Sequence, residues 1–341
     1  MRELDPTIRV AVGKDEAYLV GGAVRDELLG RPVVDVDVAC PDPVGAARSY
    51  ADKAGGALFR LSERHGAWRV VFRDGRTVDF TPLPRGLDAD LATRDFTVNA
   101  IAVPVEGGDP IDPLGGLPDL EARSLRAVAP TVFDDDPVRL LRAVRLEDEL
   151  GFLLEPETEA RVRSAAPRVG EPAGERILAE LERLSPTGFR RLDELGLLAP
   201  LGGSLERFAK VPQPLLLVLV FGRALERFPI SNELRRMERK LLAATRPEDD
   251  SPRAIHRFRR ATEPFALEAL AYLGAEELIP AVEAARAAEP SEPLLRGDEL
   301  GVEQGPEVGR LLSRIAEERA AGTIETRKEA LELVRRERGA A

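Results

Sequence analysis

A chain of 341 residues with 43% hydrophobic and 32% charged side chains has the make-up of a folded globular protein, which excludes disordered and fibrous classes. Its formal charge of −11, taken as one number, argues against a polyanionic partner. One cysteine, Cys40, excludes an internal disulfide, and with only His65 and His256 beside it no zinc cluster forms, so a catalytic metal must sit on oxygen ligands.

The first predicted strand, Ala17 to Val20, runs into Gly21-Gly22 and then a helix ending near Leu29-Gly30. Glycines let backbone approach a phosphate, a helix start offers N–H donors, and Arg25 adds a charged donor one turn in, so a triphosphate can rest there. In the next strand, Val33 to Ala39, alternation places Asp35 and Asp37 on one face and turns Val34, Val36 and Val38 to the core. Adjacent carboxylates repel unless a cation lies between them, and hard oxygen ligands suit Mg²⁺ held together with substrate phosphates. A solvent-facing edge strand is the other reading of a bare Asp-x-Asp. Cys40 reads as a small core residue, His65 as part of a turn, and Trp68 as an anchor of the sheet core. Strands Trp68 to Phe72, Thr77 to Thr81 and Asn99 to Val103 complete an α/β region ending near residue 130.

From Asp136 onward apolar residues recur at three and four, as in Leu140, Leu141, Val144 and Ile177, Leu178, Leu181, Leu184, and the remainder reads as all helix. The longest apolar stretch, Pro214 to Phe221, is too short to span a bilayer, and no signal peptide is evident at the start, so a cytoplasmic location is expected. By segment the net charge is −5 over 1–130, −5 over 131–200, +6 over 201–260 and −7 over 261–341. In the basic block Arg235, Arg236, Arg239 and Lys240 share helical spacing, and Arg253, Arg257, Arg259 and Arg260 follow without an acid among them. Both a solvated helix face and a phosphate-tracking surface fit that run.

Together these motifs resemble the class II tRNA nucleotidyltransferases, the CCA-adding enzymes and their relatives the bacterial poly(A) polymerases, over essentially the whole chain. Gly21-Gly22-Ala23-Val24-Arg25-Asp26 with Asp35-Val36-Asp37 is similar to the family's first motif. Thr93-Arg94-Asp95-Phe96-Thr97-Val98-Asn99-Ala100 resembles the second, with Thr93 where the family typically reads arginine. Asp112-Pro113-Leu114-Gly115-Gly116 matches the third, and Asp135-Asp136-Pro137-Val138-Arg139 the fourth, with Asp135 in a glutamate's place. Glu175-Arg176-Ile177 with Glu180 resembles the fifth, and Leu294 to Glu325 the family's tail.

The resemblance implies a polymerase-β-like nucleotidyltransferase head with a small mixed sheet over 1–130. An all-helical neck (131–200) would read the base, and a body (201–290) and tail (291–341) would bind tRNA. Asp35 and Asp37 would be catalytic and hold two Mg²⁺ ions, with Asp79 as a third carboxylate. Gly21, Gly22, Arg25, Arg94, Asp95, Asn99, Arg142 and Arg145 would bind nucleotide. Asp136 and Arg139, one helical turn apart, would present an acceptor-and-donor edge to the incoming base. Asp112, Gly115, Glu175 and Arg176 would shape the structure, and Arg235, Arg236, Arg239, Lys240, Arg253 and Arg257 would contact RNA. The implied reaction adds CMP or AMP from CTP or ATP to a tRNA lacking a complete CCA end and releases pyrophosphate. Full CCA-adding members of the family carry a longer loop where only Pro84 to Ala89 stands here, and in the family shortened loops go with CC-addition. Full CCA- or A-addition, poly(A) polymerisation, a small-molecule nucleotidyltransferase and a catalytically silent RNA-binding protein are the alternatives. With two histidines, the His-Asp phosphohydrolase domain of some members is not functional here.

Overall fold

The computed structural model describes residues 6–13, 16–62, 66–208, 211 and 213–339, so His65 lies outside the described residues. Two compact units divide after Gly203; the segments expected as head and neck, with the first three residues of the expected body, lie in the first, and the rest in the second.

The first unit opens with α1 (Pro6–Val12), β1 (Tyr18–Val20), α2 (Gly22–Leu28), β2 (Asp35–Cys40) and α3 (Pro43–Ala54). There follow β3 (Ala57–Ser62), β4 (Ala67–Val71), β5 (Thr77–Pro82), α4 (Leu87–Leu91), β6 (Ala102–Pro104), α5 (Gly116–Ala122) and β7 (Ser124–Leu125). Six strands form one mixed sheet in the order β3-β4-β5-β2-β1-β6, in which β2 and β5 run parallel and the other described pairs antiparallel. A parallel pair needs a long crossover, here supplied by α3 and the β3–β4 hairpin. Strand β3 carried no sequence signal, and Asn99 sits in a 3₁₀ turn, Thr97–Asn99, before β6.

Val20, Val38, Val70 and Phe80 are fully enclosed in the sheet. Helix α3 covers it through Tyr50, whose ring lies 5.8 Å from Phe72 and 5.7 Å from Phe80. Its start is fixed by Pro43 and by Asp42, which accepts from the Gly45 N–H at 2.9 Å. The alternation expected for β2 holds only in part: Val38 is buried, Val36 half-buried, and Val34 lies before the strand and is exposed. The cause is overhang, because β1 reaches β2 only as far as Asp37 and leaves Asp35 and Val36 paired to β5 alone. Cys40 is a buried core residue, whereas Trp68 is only half-buried, with the Arg60 guanidinium 5.9 Å from its ring.

Helices α6 (Val132–Asp135), α7 (Arg139–Leu150), α8 (Pro156–Ala165), α9 (Gly174–Leu181) and α10 (Pro186–Glu194) complete this unit. They pack through the residues their periodicity singled out: Leu140, Leu141, Val144, Ile177, Leu178, Leu181 and Leu184 are all buried. One departure from the all-helical expectation is β8 (Leu153–Leu154), which pairs in parallel with β7.

The second unit holds α11 (Leu215–Phe221), α12 (Asn232–Ala243), α13 (Pro252–Thr262), α14 (Ala266–Leu273), α15 (Ile279–Ala287), α16 (Pro306–Ala320) and α17 (Arg327–Gly339). The apolar stretch after Pro214 forms α11, buried along its whole length. Residues of the expected tail share a core of Leu300, Leu311, Ile315, Ile324 and Val334. Among the described residues no helix is long and apolar enough to cross a membrane.

Candidate active site

In the parallel register of β2 and β5, Asp37 stands beside Asp79 and Asp35 beside Thr77, and all three carboxylates line a cavity of about 690 Å³. The Thr77 hydroxyl donates to Asp35 Oδ1 at 2.7 Å. Burial raises the pKa of Asp37; Arg94 and Arg69 oppose that, Asp79 and Asp35 add to it, and the net shift is upward. Asp79 is buried, and both its oxygens are taken by Arg69, Nε to Oδ1 at 2.6 Å and Nη2 to Oδ2 at 2.7 Å. Among the described residues no group of three or more acidic, histidine or cysteine side chains is arranged to hold a metal ion. The pair of Asp35 and Asp37 still fits a divalent cation. It offers hard oxygen donors side by side, and burial with like charge nearby makes the Asp37 carboxylate costly until a cation offsets it. Mg²⁺ is held in this way, by one or two carboxylates and substrate phosphates.

Gly21 sits at φ 75°, and a β-carbon there would come within 2.9 Å of Asp37 Oδ2 and 3.3 Å of Arg94 Nη1. Only glycine fits this turn. Gly22 lines the same cavity.

A second wall is built from arginines. Arg94 donates to Asp90 Oδ2 at 2.7 Å. Arg142 Nε donates to Asp95 at 2.8 Å and its Nη1 lies 3.5 Å from Glu180, while Arg145, 4% exposed, pairs with Glu149 at 2.6 Å and Glu180 at 2.5 Å. Behind them Asp95 accepts from the Phe96 N–H, Asn99 Nδ2 and Arg142, each at 2.8 Å. Asn99 Oδ1 in turn accepts from Arg25 Nη1 at 2.7 Å, and Arg25 is also paired with Asp26. Arg25, Asp95 and Asn99 thus border the cavity as a buried network.

Asp136 and Arg139 both line the cavity but do not share a helical turn as the spacing suggested. Asp136 precedes Pro137 and is extended (φ −153°, ψ 97°), so α7 begins only at Arg139. The Asp136 carboxylate receives a fork from Arg176 at 3.1 and 2.7 Å, and Arg139 Nη2 donates to the Thr93 carbonyl at 2.6 Å. Asp112 and Gly115 lie off the cavity, where Asp112 accepts from the Gly116 and Leu117 N–H groups at 2.7 and 2.8 Å and starts α5. Glu175 is exposed in the first turn of α9, also off the cavity.

The family described as poly(A) polymerase head domain matches residues 17–86 and 71–126, the segment that carries the carboxylates and Arg94. An A-adding tRNA nucleotidyltransferase of Deinococcus radiodurans is 48% identical over 192 residues, 53% of this chain and 44% of that protein. A CC-adding tRNA nucleotidyltransferase of Geobacter sulfurreducens is 44% identical over 171 residues, 49% of this chain and 40% of that protein. Over about half its length this chain is similar to tRNA nucleotidyltransferases. The match spans less than half the length of either relative. In fold, this chain resembles a CCA-adding enzyme solved with CTP (TM-score 0.76, 22% identity, 97% of this chain and 95% of that one). A Thermotoga maritima CCA-adding enzyme complexed with tRNA gives a TM-score of 0.69 at 22% identity, covering 96% of this chain and 92% of that one.

Sequence reasoning missed residues of this cavity and around it. Arg69 had a usable signal: the Asp74-Gly75 turn joins β4 to β5 and sets Arg69 directly opposite Asp79. Arg183, which pairs with Glu149 at 2.8 Å, had none, nor had Asp90, which lies off the cavity and holds Arg94. In the second unit the basic block is less uniform than its sequence. Arg235, Arg236 and Arg239 are exposed on α12, and Lys240 donates to the Ala261 carbonyl at 2.5 Å. On α13, Arg253 pairs with Glu318 at 2.7 Å, Arg257 with Glu317 at 2.6 Å, and buried Arg259 with Glu263 and Glu289.

Proposed function

We propose that this chain adds CMP, or CMP and AMP, from CTP or ATP to the 3′ end of a tRNA lacking its complete CCA terminus. The observation that carries this is the convergence of Asp35, Asp37, Gly21, Arg94, Asp136, Arg139 and Arg142 on one cavity. The reaction is in-line attack by the RNA 3′-hydroxyl on the α-phosphate, with pyrophosphate leaving. Bound Mg²⁺ supplies charge neutralisation at the triphosphate and activation of the hydroxyl. Asp35 and Asp37 would hold it, the Gly21–Gly22 turn would give the phosphates close approach, and Arg94 and Arg142 would face their charge.

Asp136 and Arg139 select the base. A carboxylate has about four lone-pair sites, and the Arg176 fork leaves some free to accept from an exocyclic amine. Cytosine and adenine place such an amine beside a ring acceptor for arginine; uracil and guanine put a carbonyl there and are rejected. Between bases, the short loop favours CC-addition: Leu83 and Gly86 close a turn that leads directly into α4. A-addition is the second reading, favoured by the 48% identity to the Deinococcus enzyme. For RNA, exposed Arg235, Arg236 and Arg239 are the phosphate-tracking groups, whereas Arg253 and Arg257 are already neutralised by glutamates.

The test is incubation with tRNA transcripts ending before CCA and after CC, with CTP, ATP or both. CC-addition gives two cytidines and no response to ATP. A single product ending in CCA, or adenosine placed on the CC end, refutes it, and no incorporation with any combination refutes the enzymatic reading altogether.

A further inference from the structure

We propose that Arg69 is a built-in counter-cation that keeps Asp79 out of the metal-ligand set of Asp35 and Asp37. The inference rests on the reading of Asp35 and Asp37 as the carboxylates that hold a divalent cation. Asp79 has two neighbours to choose from. It stands beside Asp37 across the parallel β2–β5 pair and opposite Arg69 across the antiparallel β4–β5 pair. Arg69 has captured it, with both carboxylate oxygens held at 2.6 and 2.7 Å in a planar fork that a metal would have to break. Asp79 is 8% exposed, so water cannot easily replace that partner. Among the described residues no group of three or more acidic, histidine or cysteine side chains is arranged to hold a metal ion.

Two consequences follow. The cavity's acidic charge is partly neutralised by the chain's own guanidinium, and the two-carboxylate site that remains binds a free divalent cation weakly. Tight binding then waits for a triphosphate to add its oxygens. Arg69 is therefore a positioning residue that acts through Asp79.

The experiment titrates the full chain with Mn²⁺ alone, read by calorimetry and by the electron spin resonance of free Mn²⁺. The variants are Arg69→Met, Arg69→Lys, Asp79→Asn, Asp37→Asn and the double variant Arg69→Met/Asp79→Asn. Freeing Asp79 in Arg69→Met should tighten Mn²⁺ binding about tenfold, the lower end of what groups behind metal ligands usually control. Arg69→Lys keeps a cation but cannot fork a carboxylate, so it should tighten binding less, and it remains informative if the methionine variant fails to fold. In the Asp79→Asn background, removing Arg69 should have a much smaller effect, because no ligand is released. Unchanged or weaker binding in both Arg69 variants overturns the proposal, as does equal tightening with and without Asp79, which would mean plain charge repulsion. Wild-type affinity in Asp37→Asn overturns instead the metal-site reading on which the proposal stands.

Discussion

Asp95 is the residue on which the cavity's inner wall converges, and Asp95→Asn tests that network. The substitution keeps the size of the side chain and the Oδ1 that accepts from both the Phe96 N–H and Asn99, but replaces the charged Oδ2 facing Arg142 with an amide. Breaking a buried ion pair costs about 3–5 kcal/mol. Here the Arg142 side chain is 35% exposed and keeps Glu180 at 3.5 Å, so water and a second acid recover part of that. A loss of about 2 kcal/mol is expected, near twice the net worth of one ordinary hydrogen bond. Urea unfolding is followed through Trp68, the single tryptophan of the chain, which lies in the first unit. Burial pushes the Asp95 carboxyl up, but Arg142 and the hydrogen bonds from Asn99, Arg142 and Phe96 outweigh it and hold it below the ordinary value. Its stabilisation is therefore complete above the ordinary carboxylate pKa and is lost as pH falls through that value and then through the depressed one. The gap between wild type and variant should narrow below about pH 4. A loss under about 0.5 kcal/mol, or a gap that stays open in acid, would refute the network's role.

Asp37 has the opposite sign: its raised pKa means that the metal-free fold loses stability as pH rises from the ordinary carboxylate value through the raised one. Asp37→Asn should melt higher than wild type at pH 7 in EDTA while losing nucleotide incorporation; a lower melting temperature contradicts this. Gly21→Ala forces a β-carbon to 2.9 Å from Asp37 Oδ2 at a positive φ, and should cost about 1–3 kcal/mol in a urea titration along with most of the activity. Reversing the charge of Arg235, Arg236 and Arg239 together should raise the KM for tRNA, leave that for CTP nearly unchanged, and flatten the salt dependence of binding by about 2–3 in log–log slope. Arg253→Glu, which sets two acids against each other at Glu318, should instead lower the stability of the second unit, read by circular dichroism.

What the sequence made legible follows the range of the interactions. The i, i+2 placement of Asp35 and Asp37 and the three-and-four spacing of α7 and α9 are local, and both hold in the structure. The Arg69–Asp79 pair was one step removed, readable from the hairpin turn between them. Arg253 and Arg257 were counted as free charge because Glu317 and Glu318, their partners, lie some sixty residues further on and belong to α16. Arg176 on Asp136 is of the same kind: spacing of forty residues carries no signal until two helices pack. Asp136 was misplaced for a local reason, since Pro137 drives it out of the helix that periodicity drew through it.

Arg139 rests on the main-chain oxygen of Thr93, not on its side chain. A carbonyl is common to all twenty amino acids, so position 93 can drift in identity without disturbing its hold on Arg139, provided the backbone path is kept. That gives threonine licence to stand there, and it locates the constraint in the turn geometry, which the Thr93 hydroxyl helps hold by donating to the Asp90 carbonyl at 2.7 Å. A saturation library at position 93 should therefore be broadly tolerated apart from proline and glycine, the two residues that alter the path itself.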